Sequence, residues 1–116
     1  MSCRILVVED DPLSRRNFVF FLQRAQHHVS EAVTGETAVD LISRLSFDVV
    51  VSDLRLPGRV NGIDVLRHQN FHAPGKRLIL LTAFGSAEAQ SEAQTLGAVY
   101  MEKPVSLVDL ASSVRL

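Results

Sequence analysis

Short apolar runs alternate along this chain with segments in which apolar residues recur every three or four positions. Runs of the first kind suit strands covered on both faces, and the longer period suits helices with one apolar stripe. The alternation therefore predicts βα units, a parallel sheet and helices on both of its faces, with five units in all. Ile5-Leu6-Val7-Val8 reads as the first strand. Asp11-Pro12 then predicts a helix cap with proline at the first helical position, followed by a stripe of Phe18, Phe21, Leu22 and Ala25. A second strand is expected over residues 29–33, with a helix opening around Thr34-Gly35-Glu36 and burying Ala38, Leu41, Ile42 and Leu45. The third strand, residues 48–52, leads into a long loop with Pro57, Gly58 and Gly62, then a short helix carrying Ile63 and Leu66. The fourth covers residues 77–82 and precedes a helix with Ala89, Ala93 and Leu96, capped by Gly97 in the left-handed conformation. The fifth, residues 98–102, precedes a helix that opens with a capping-box pattern at Ser106-Leu107-Val108-Asp109 and buries Leu107, Leu110, Ala111 and Val114.

Polar chemistry gathers where these strands end. Val49-Val50-Val51-Ser52 delivers Asp53, the first strand runs into Glu9-Asp10-Asp11, the fourth into Thr82-Ala83 and the fifth into Lys103-Pro104. In open parallel sheets ligands bind outside the carboxyl ends of the strands, where the strand order reverses. Glu9, Asp10 and Asp53 would bring about three negative charges within a few ångströms, a cost relieved by a cation or by raised pKa values. Magnesium suits such a site, since it takes oxygen ligands, retains waters and accepts phosphate oxygens, whereas zinc lacks its usual cysteine and histidine partners here. Lys103 offers a point positive charge to Asp53 or to a phosphoryl oxygen, Thr82 offers a hydrogen bond, and Ala83 leaves room. Taken singly, a strand-end Asp is often a helix cap, a Thr a turn residue and a Lys solvated. Their joint placement at four strand ends points to a site for a divalent cation and a phosphoryl group.

On Val8-Glu9-Asp10-Asp11, Ser52-Asp53-Leu54-Arg55-Leu56-Pro57, Leu81-Thr82-Ala83 and Glu102-Lys103-Pro104, the chain resembles the receiver domain of two-component response regulators over essentially all of residues 1–116. The resemblance implies a single α/β domain, a flavodoxin-like, doubly wound parallel sheet in the order 2-1-3-4-5 with five helices in a three-layer sandwich. It further implies that Asp53 accepts a phosphoryl group from a sensor histidine kinase or phosphotransfer protein. Asp10, Asp53 and the backbone carbonyl of Arg55 would ligate Mg2+ directly, with Glu9 acting through water. Thr82 and Tyr100 would form the switch pair, Lys103 would contact the phosphoryl group, and the Lys103-Pro104 peptide would be cis. By the same resemblance, Arg55 and Phe84 occupy positions that in this family tune access of water to the aspartyl phosphate, and a bulky pair there would imply slow dephosphorylation. The surface of the fourth helix, fifth strand and fifth helix is the expected output face, compatible with phosphorylation-dependent dimerisation. Gly58-Arg59-Val60-Asn61 makes the loop one residue longer than is typical of the family, so a shifted loop with the site retained is expected.

Composition narrows the alternatives. A 47% hydrophobic content in 116 residues suffices for one core without disulfides, and Cys3, the only cysteine, fits a reduced compartment. A formal net charge of -1 with no basic run argues against direct nucleic-acid binding. The longest strongly apolar stretch, residues 18–22, is far shorter than the roughly 20 residues of a membrane helix. Strand-like sequence starts almost at once, leaving no room for a secretion signal, so a cytoplasmic protein whose output domain lies outside this chain is expected. His68 and His72 stand four apart, but Asn70, Phe71 and Pro74 suggest a helix that is ending. With no third ligand evident, both read as surface histidines, and His27-His28 as a connector. An aspartyl phosphatase or phosphomutase would want a carboxylate where Arg55 stands and a cap to form a substrate pocket. A flavin module would place its phosphate at the first strand-helix loop, where Glu9, Asp10 and Asp11 repel it. A receiver-like scaffold that is never phosphorylated would be expected to have lost part of the site, yet every group is present.

Overall fold

The computed structural model describes residues 2–114, in which five strands and five helices alternate. The strands β1 (Arg4–Val8), β2 (His28–Ala32), β3 (Val49–Asp53), β4 (Arg77–Thr82) and β5 (Val99–Glu102) form one parallel sheet. Its order is β2-β1-β3-β4-β5. Helices α1 (Pro12–Arg24), α2 (Gly35–Arg44), α3 (Gly62–His72), α4 (Ala87–Leu96) and α5 (Leu107–Val114) follow the strands in turn. This is the doubly wound, flavodoxin-like arrangement that the resemblance implied.

Side chains alternate across a strand, so each continuous apolar run supplies both faces of the sheet. Ile5, Val7, Val49, Val51, Ile79 and Leu81 pack with Phe18, Val19 and Leu22 of α1 and with Leu110 and Val114 of α5. Leu6, Val8, Val50, Leu78 and Leu80 point the other way, onto Ala38 and Ile42 of α2, Val65 and Leu66 of α3 and Ala93 of α4. Three layers result. Each fully buried aliphatic side chain is worth roughly 1.5–3 kcal/mol, so β3, buried at every position, is a rigid base for Asp53 at its tip. Among the described residues, no helix is long and apolar enough to cross a membrane.

Local signals account for the helix ends. Asp11 caps α1, its carboxylate accepting from Ser14 N at 2.9 Å, with Pro12 at the first helical position. Thr34 and Ser86 cap α2 and α4 in the same way, and Gly97 closes α4 with φ 73°. Ser106 Oγ accepts from Asp109 N at 3.2 Å ahead of α5.

Several expected boundaries move. β2, β3 and β5 span His28–Ala32, Val49–Asp53 and Val99–Glu102 rather than residues 29–33, 48–52 and 98–102. Asp48 stands just ahead of its strand, its amide donating to Arg4 O at 2.8 Å and its carbonyl accepting from Arg77 N at 3.1 Å, while its carboxylate accepts from Arg4 N at 2.9 Å and pairs with Lys76 at 3.5 Å. Ala25 and Leu45, expected on buried stripes, are exposed C-caps, and Val19 supplies core contact on α1 that the spacing had not assigned. The helix expected to be short, α3, runs to His72. A reciprocal capping box of Asn61 with Asp64 starts it, and apolar contact along Ile63, Val65 and Leu66 sustains it. His68 and His72 consequently share this helix, with ring centroids 4.3 Å apart, while among the described residues no third metal-type ligand joins them.

Gly62 sets how closely α3 approaches the end of β3. A Cβ on it would stand 2.2 Å from the Asp53 carbonyl oxygen, and Gly62 N donates to Leu54 O at 2.8 Å. The obstacle is backbone, which cannot yield as a flexible side chain would. Gly62→Ala is expected to lower stability by about 2 kcal/mol in urea unfolding, as overpacking does; stability equal to the parent's would show that the contact relaxes freely.

Candidate functional site

From β1 the chain steps outward to β2 and then returns across β1 to β3, so the strand order reverses between β1 and β3. Loops leaving those two strands diverge to opposite faces and open a crevice at the carboxyl edge. Register sets the depth of each group: Val8 lies opposite Ser52 and Asp53 opposite Leu81, so Asp53 ends β3 while Glu9 and Asp10 lie just beyond β1. One carboxylate oxygen from each of Glu9, Asp10 and Asp53 falls within 4.8 Å of the others. Glu9 and Asp53 are buried, 1% and 8% exposed, while Asp10 faces solvent.

Lys103 reaches this cluster from the end of β5. Its amide donates to Thr82 O at 2.8 Å, which continues the β4–β5 ladder, and the Lys103-Pro104 peptide that follows is cis. Its Nζ lies 2.5 Å from Glu9 Oε1 and 3.5 Å from Asp53 Oδ2. One ammonium thus serves two of the three carboxylates. Burial, and then the charge of Glu9, push the Asp53 carboxyl up from 3.8 to about 6, with Asp10 adding to the rise and Lys103 opposing it. Burial pulls Lys103 down, but the hydrogen bond to Glu9 and the charges of Asp53 and Glu9 outweigh it and raise the ammonium above its ordinary value. The ammonium therefore stays charged, and negative charge remains in excess.

A hard dication fits that excess. The donor set is all oxygen, two of its carboxylates are fixed by burial, and the third opens to water, as a small cation that retains part of its hydration requires. Glu9 is further oriented by Asp11 N, which donates to its Oε2 at 3.2 Å.

The remaining expected residues surround this cluster. Thr82, 1% exposed, ends β4 beside Asp53's strand, and its Oγ1 accepts from Phe84 N at 3.1 Å. Tyr100 lays its ring against the core face shared by α2, α3 and α4. Its hydroxyl rests where Gly85 has no side chain, since a Cβ there would stand 2.3 Å away. Arg55 places its guanidinium 5.2 Å from the Phe84 ring centroid, linking the loops that follow β3 and β4. Both side chains are exposed.

Two residues that the sequence did not single out also belong here. Arg15, in the first turn of α1, donates from Nη1 to Glu9 O at 3.0 Å and from Nε to Glu31 Oε1 at 3.1 Å. Glu36, in the first turn of α2, accepts from Arg59 N at 3.0 Å and so grips the loop that follows Asp53. Both work through backbone atoms of other segments, and spacing along the chain carries no signal for that.

The sequence profile of the response regulator receiver domain matches residues 5–115. The chain is 36% identical over 104 residues to the alginate biosynthesis transcriptional regulatory protein AlgB of Pseudomonas aeruginosa, covering 89% of this chain and 23% of that protein. It is 26% identical over 116 residues to sporulation initiation phosphotransferase F of Bacillus subtilis, covering 99% of this chain and 93% of that protein. Among solved structures it superposes with a TM-score of 0.91 on a CheY-like response regulator receiver domain protein from Methanospirillum hungatei, at 27% identity and covering 98% and 91% of the two chains. The chain thus spans less than a quarter of the length of the alginate regulator.

A carboxyl whose pKa is higher folded than unfolded favours the folded state while protonated. For Asp53 that advantage is whole below pH 3.8 and lost as pH rises through about 6. Without metal, Asp53→Asn is therefore expected to be more stable than the parent at pH 7 by about 1–2 kcal/mol, after allowance for solvent screening at the open rim. Urea unfolding in EDTA should show the gap closing toward pH 4. A gap that does not change over this range would mean that Asp53 ionises as an ordinary surface carboxyl.

Proposed function

This chain belongs to the response regulator receiver family, and from that premise we propose that it is a phosphorelay switch whose Asp53 takes a phosphoryl group from a sensor histidine kinase or phosphotransfer protein. The observation that carries this reading is the set of Glu9, Asp10 and Asp53 oxygens within 4.8 Å of one another, with the Lys103 ammonium 3.5 Å from Asp53, at the reversal of strand order. Asp10, Asp53 and the backbone carbonyl of Arg55 would hold Mg2+, with Glu9 assisting through water. Bound there, the ion neutralises the carboxylates and the oxygens of the transferring group.

The chain's own residues do the rest. With a pKa of about 6, Asp53 is mostly ionised at neutral pH and retains a basic, nucleophilic oxygen. That oxygen attacks the phosphorus of a phosphohistidine; the new P–O bond forms as the P–N bond breaks, and the departing imidazole takes a proton from solvent. Lys103 turns from Glu9 toward a phosphoryl oxygen, and the Thr82 hydroxyl donates to another. The product carries roughly two negative charges, enough to draw Thr82 and the loop beyond β4 toward it. Tyr100, held beside Gly85 in that same loop, then changes position, and the α4–β5–α5 surface passes the change to an output domain or partner. Arg55 and Phe84, stacked between the two loops, limit the approach of water and lengthen the life of the acyl phosphate.

Incubation with acetyl phosphate and Mg2+ is expected to add one phosphoryl group, which mass spectrometry of the peptides should assign to Asp53. EDTA or Asp53→Ala should abolish it. An adduct elsewhere would rule out Asp53 as the acceptor, and none would leave a receiver fold used only as a scaffold. Arg55→Asn with Phe84→Ala is expected to hasten dephosphorylation on the order of tenfold, equivalent to about 1.4 kcal/mol off the barrier; an unchanged decay rate would free this pair of any role in shielding the phosphate.

A further inference from the structure

Among the described residues, residues 55–60 make no backbone-to-backbone hydrogen bond. The loop they form is closed at its base, where Gly62 N meets Leu54 O, and Leu56 and Val60 pack against the core. Its amides still need partners. Glu36 supplies them from α2: its Oε2 accepts from Arg59 N at 3.0 Å, and Val60 N interacts with the same carboxylate. The Arg59 amide foremost holds the Glu36 carboxyl below its ordinary pKa, so it remains an ionised acceptor at neutral pH.

Two glycines shape the seat. Gly58 has φ 90°, which favours glycine, and a Cβ on it would stand 2.7 Å from Glu36 Oε2. A Cβ on Gly35 would stand 2.3 Å from Val60 O. The loop and the start of α2 therefore meet backbone to backbone around one carboxylate. The stretch from Leu54 to Arg59 is pinned at both ends, and Arg55 lies within it.

We infer that Glu36 is a positioning residue for the metal site: by fixing the loop tip it fixes the Arg55 peptide, whose carbonyl is the proposed backbone ligand of the cation. This rests on the Mg2+ reading given under the proposed function. Ligands are effective when groups behind them remove their freedom, and loss of such support typically costs about tenfold or more in metal affinity.

Calorimetric Mg2+ titration of the full chain separates this role from a plain charge effect. Glu36→Ala is expected to weaken Mg2+ binding about tenfold and to speed amide exchange at Arg59 and Val60. Glu36→Gln, which removes the charge but keeps an acceptor oxygen, should bind close to the parent. Asp40→Asn removes a charge on the same helix, where it pairs with Arg44 rather than with the loop, and should leave binding unchanged. Gly58→Ala, whose Cβ would stand 2.7 Å from Glu36 Oε2 and displace the carboxylate, should reproduce the loss even if Glu36→Ala folds poorly. Parent-like affinity in a folded Glu36→Ala, parent-like affinity in Gly58→Ala where Glu36→Ala does not fold, or an equal loss in Asp40→Asn would overturn the inference. A parent chain that binds no Mg2+ would instead remove the metal reading on which it rests.

Discussion

Crowding of Glu9, Asp10 and Asp53 against a single ammonium, at the edge where β1 and β3 part, is the constraint around which this structure is organised. Left to itself the cluster would relax by turning outward into water. It cannot, because Asp53 caps a strand buried at every position and Glu9 extends another whose core residues pack on both faces of the sheet. The many buried aliphatic side chains, each worth roughly 1.5–3 kcal/mol, easily outweigh the cost of the crowded acids. The price of holding them appears as an Asp53 carboxyl raised to about 6 rather than as a distorted fold.

The two sides of the site are held differently. On the acidic side, helices tether the loops by charge: Arg15 of α1 binds the Glu9 carbonyl, and Glu36 of α2 binds the Arg59 amide. On the other side, Thr82 Oγ1 is engaged by the Phe84 amide, and the Tyr100 hydroxyl sits in the gap left by Gly85. A charge arriving at Asp53 would therefore meet the tethered acidic loops on one flank and the Thr82 and Tyr100 hydroxyls on the other. That asymmetry suits a switch, since the anchor must stay in place while the reporter moves.

Much of this was legible in the chain because the physics involved is local. Apolar runs mark strands buried on both faces, Asp11-Pro12 marks the start of α1, and Gly97 marks the end of α4. Strand-end chemistry at Glu9, Asp10, Asp53, Thr82 and Lys103 could be read once a parallel sheet was assumed, because parallel strands bring all their carboxyl ends to one rim. Ala25 and Leu45 show where periodicity misleads: the spacing continues, but each chain leaves the helix there. The length of α3 was hidden because Asn70, Phe71 and Pro74 read as its end, whereas the helix continues to His72 with Gln69 buried against the Phe47 carbonyl. Arg15 and Glu36 were invisible for a deeper reason. Each bonds to backbone of another segment, and backbone atoms leave no mark in a sequence.

Binding of beryllium fluoride, a phosphoryl mimic, in the presence of Mg2+ tests the account at its centre, because on the proposed reading the mimic would engage the carboxylate, the cation and the ammonium together. Titration followed by NMR should show saturable binding, with the largest shifts at the ends of β1, β3, β4 and β5, and no binding by Asp53→Ala. Absence of saturable binding by the parent, or equal binding by Asp53→Ala, would contradict the claim that this crowded acidic rim is built to accept a phosphoryl group.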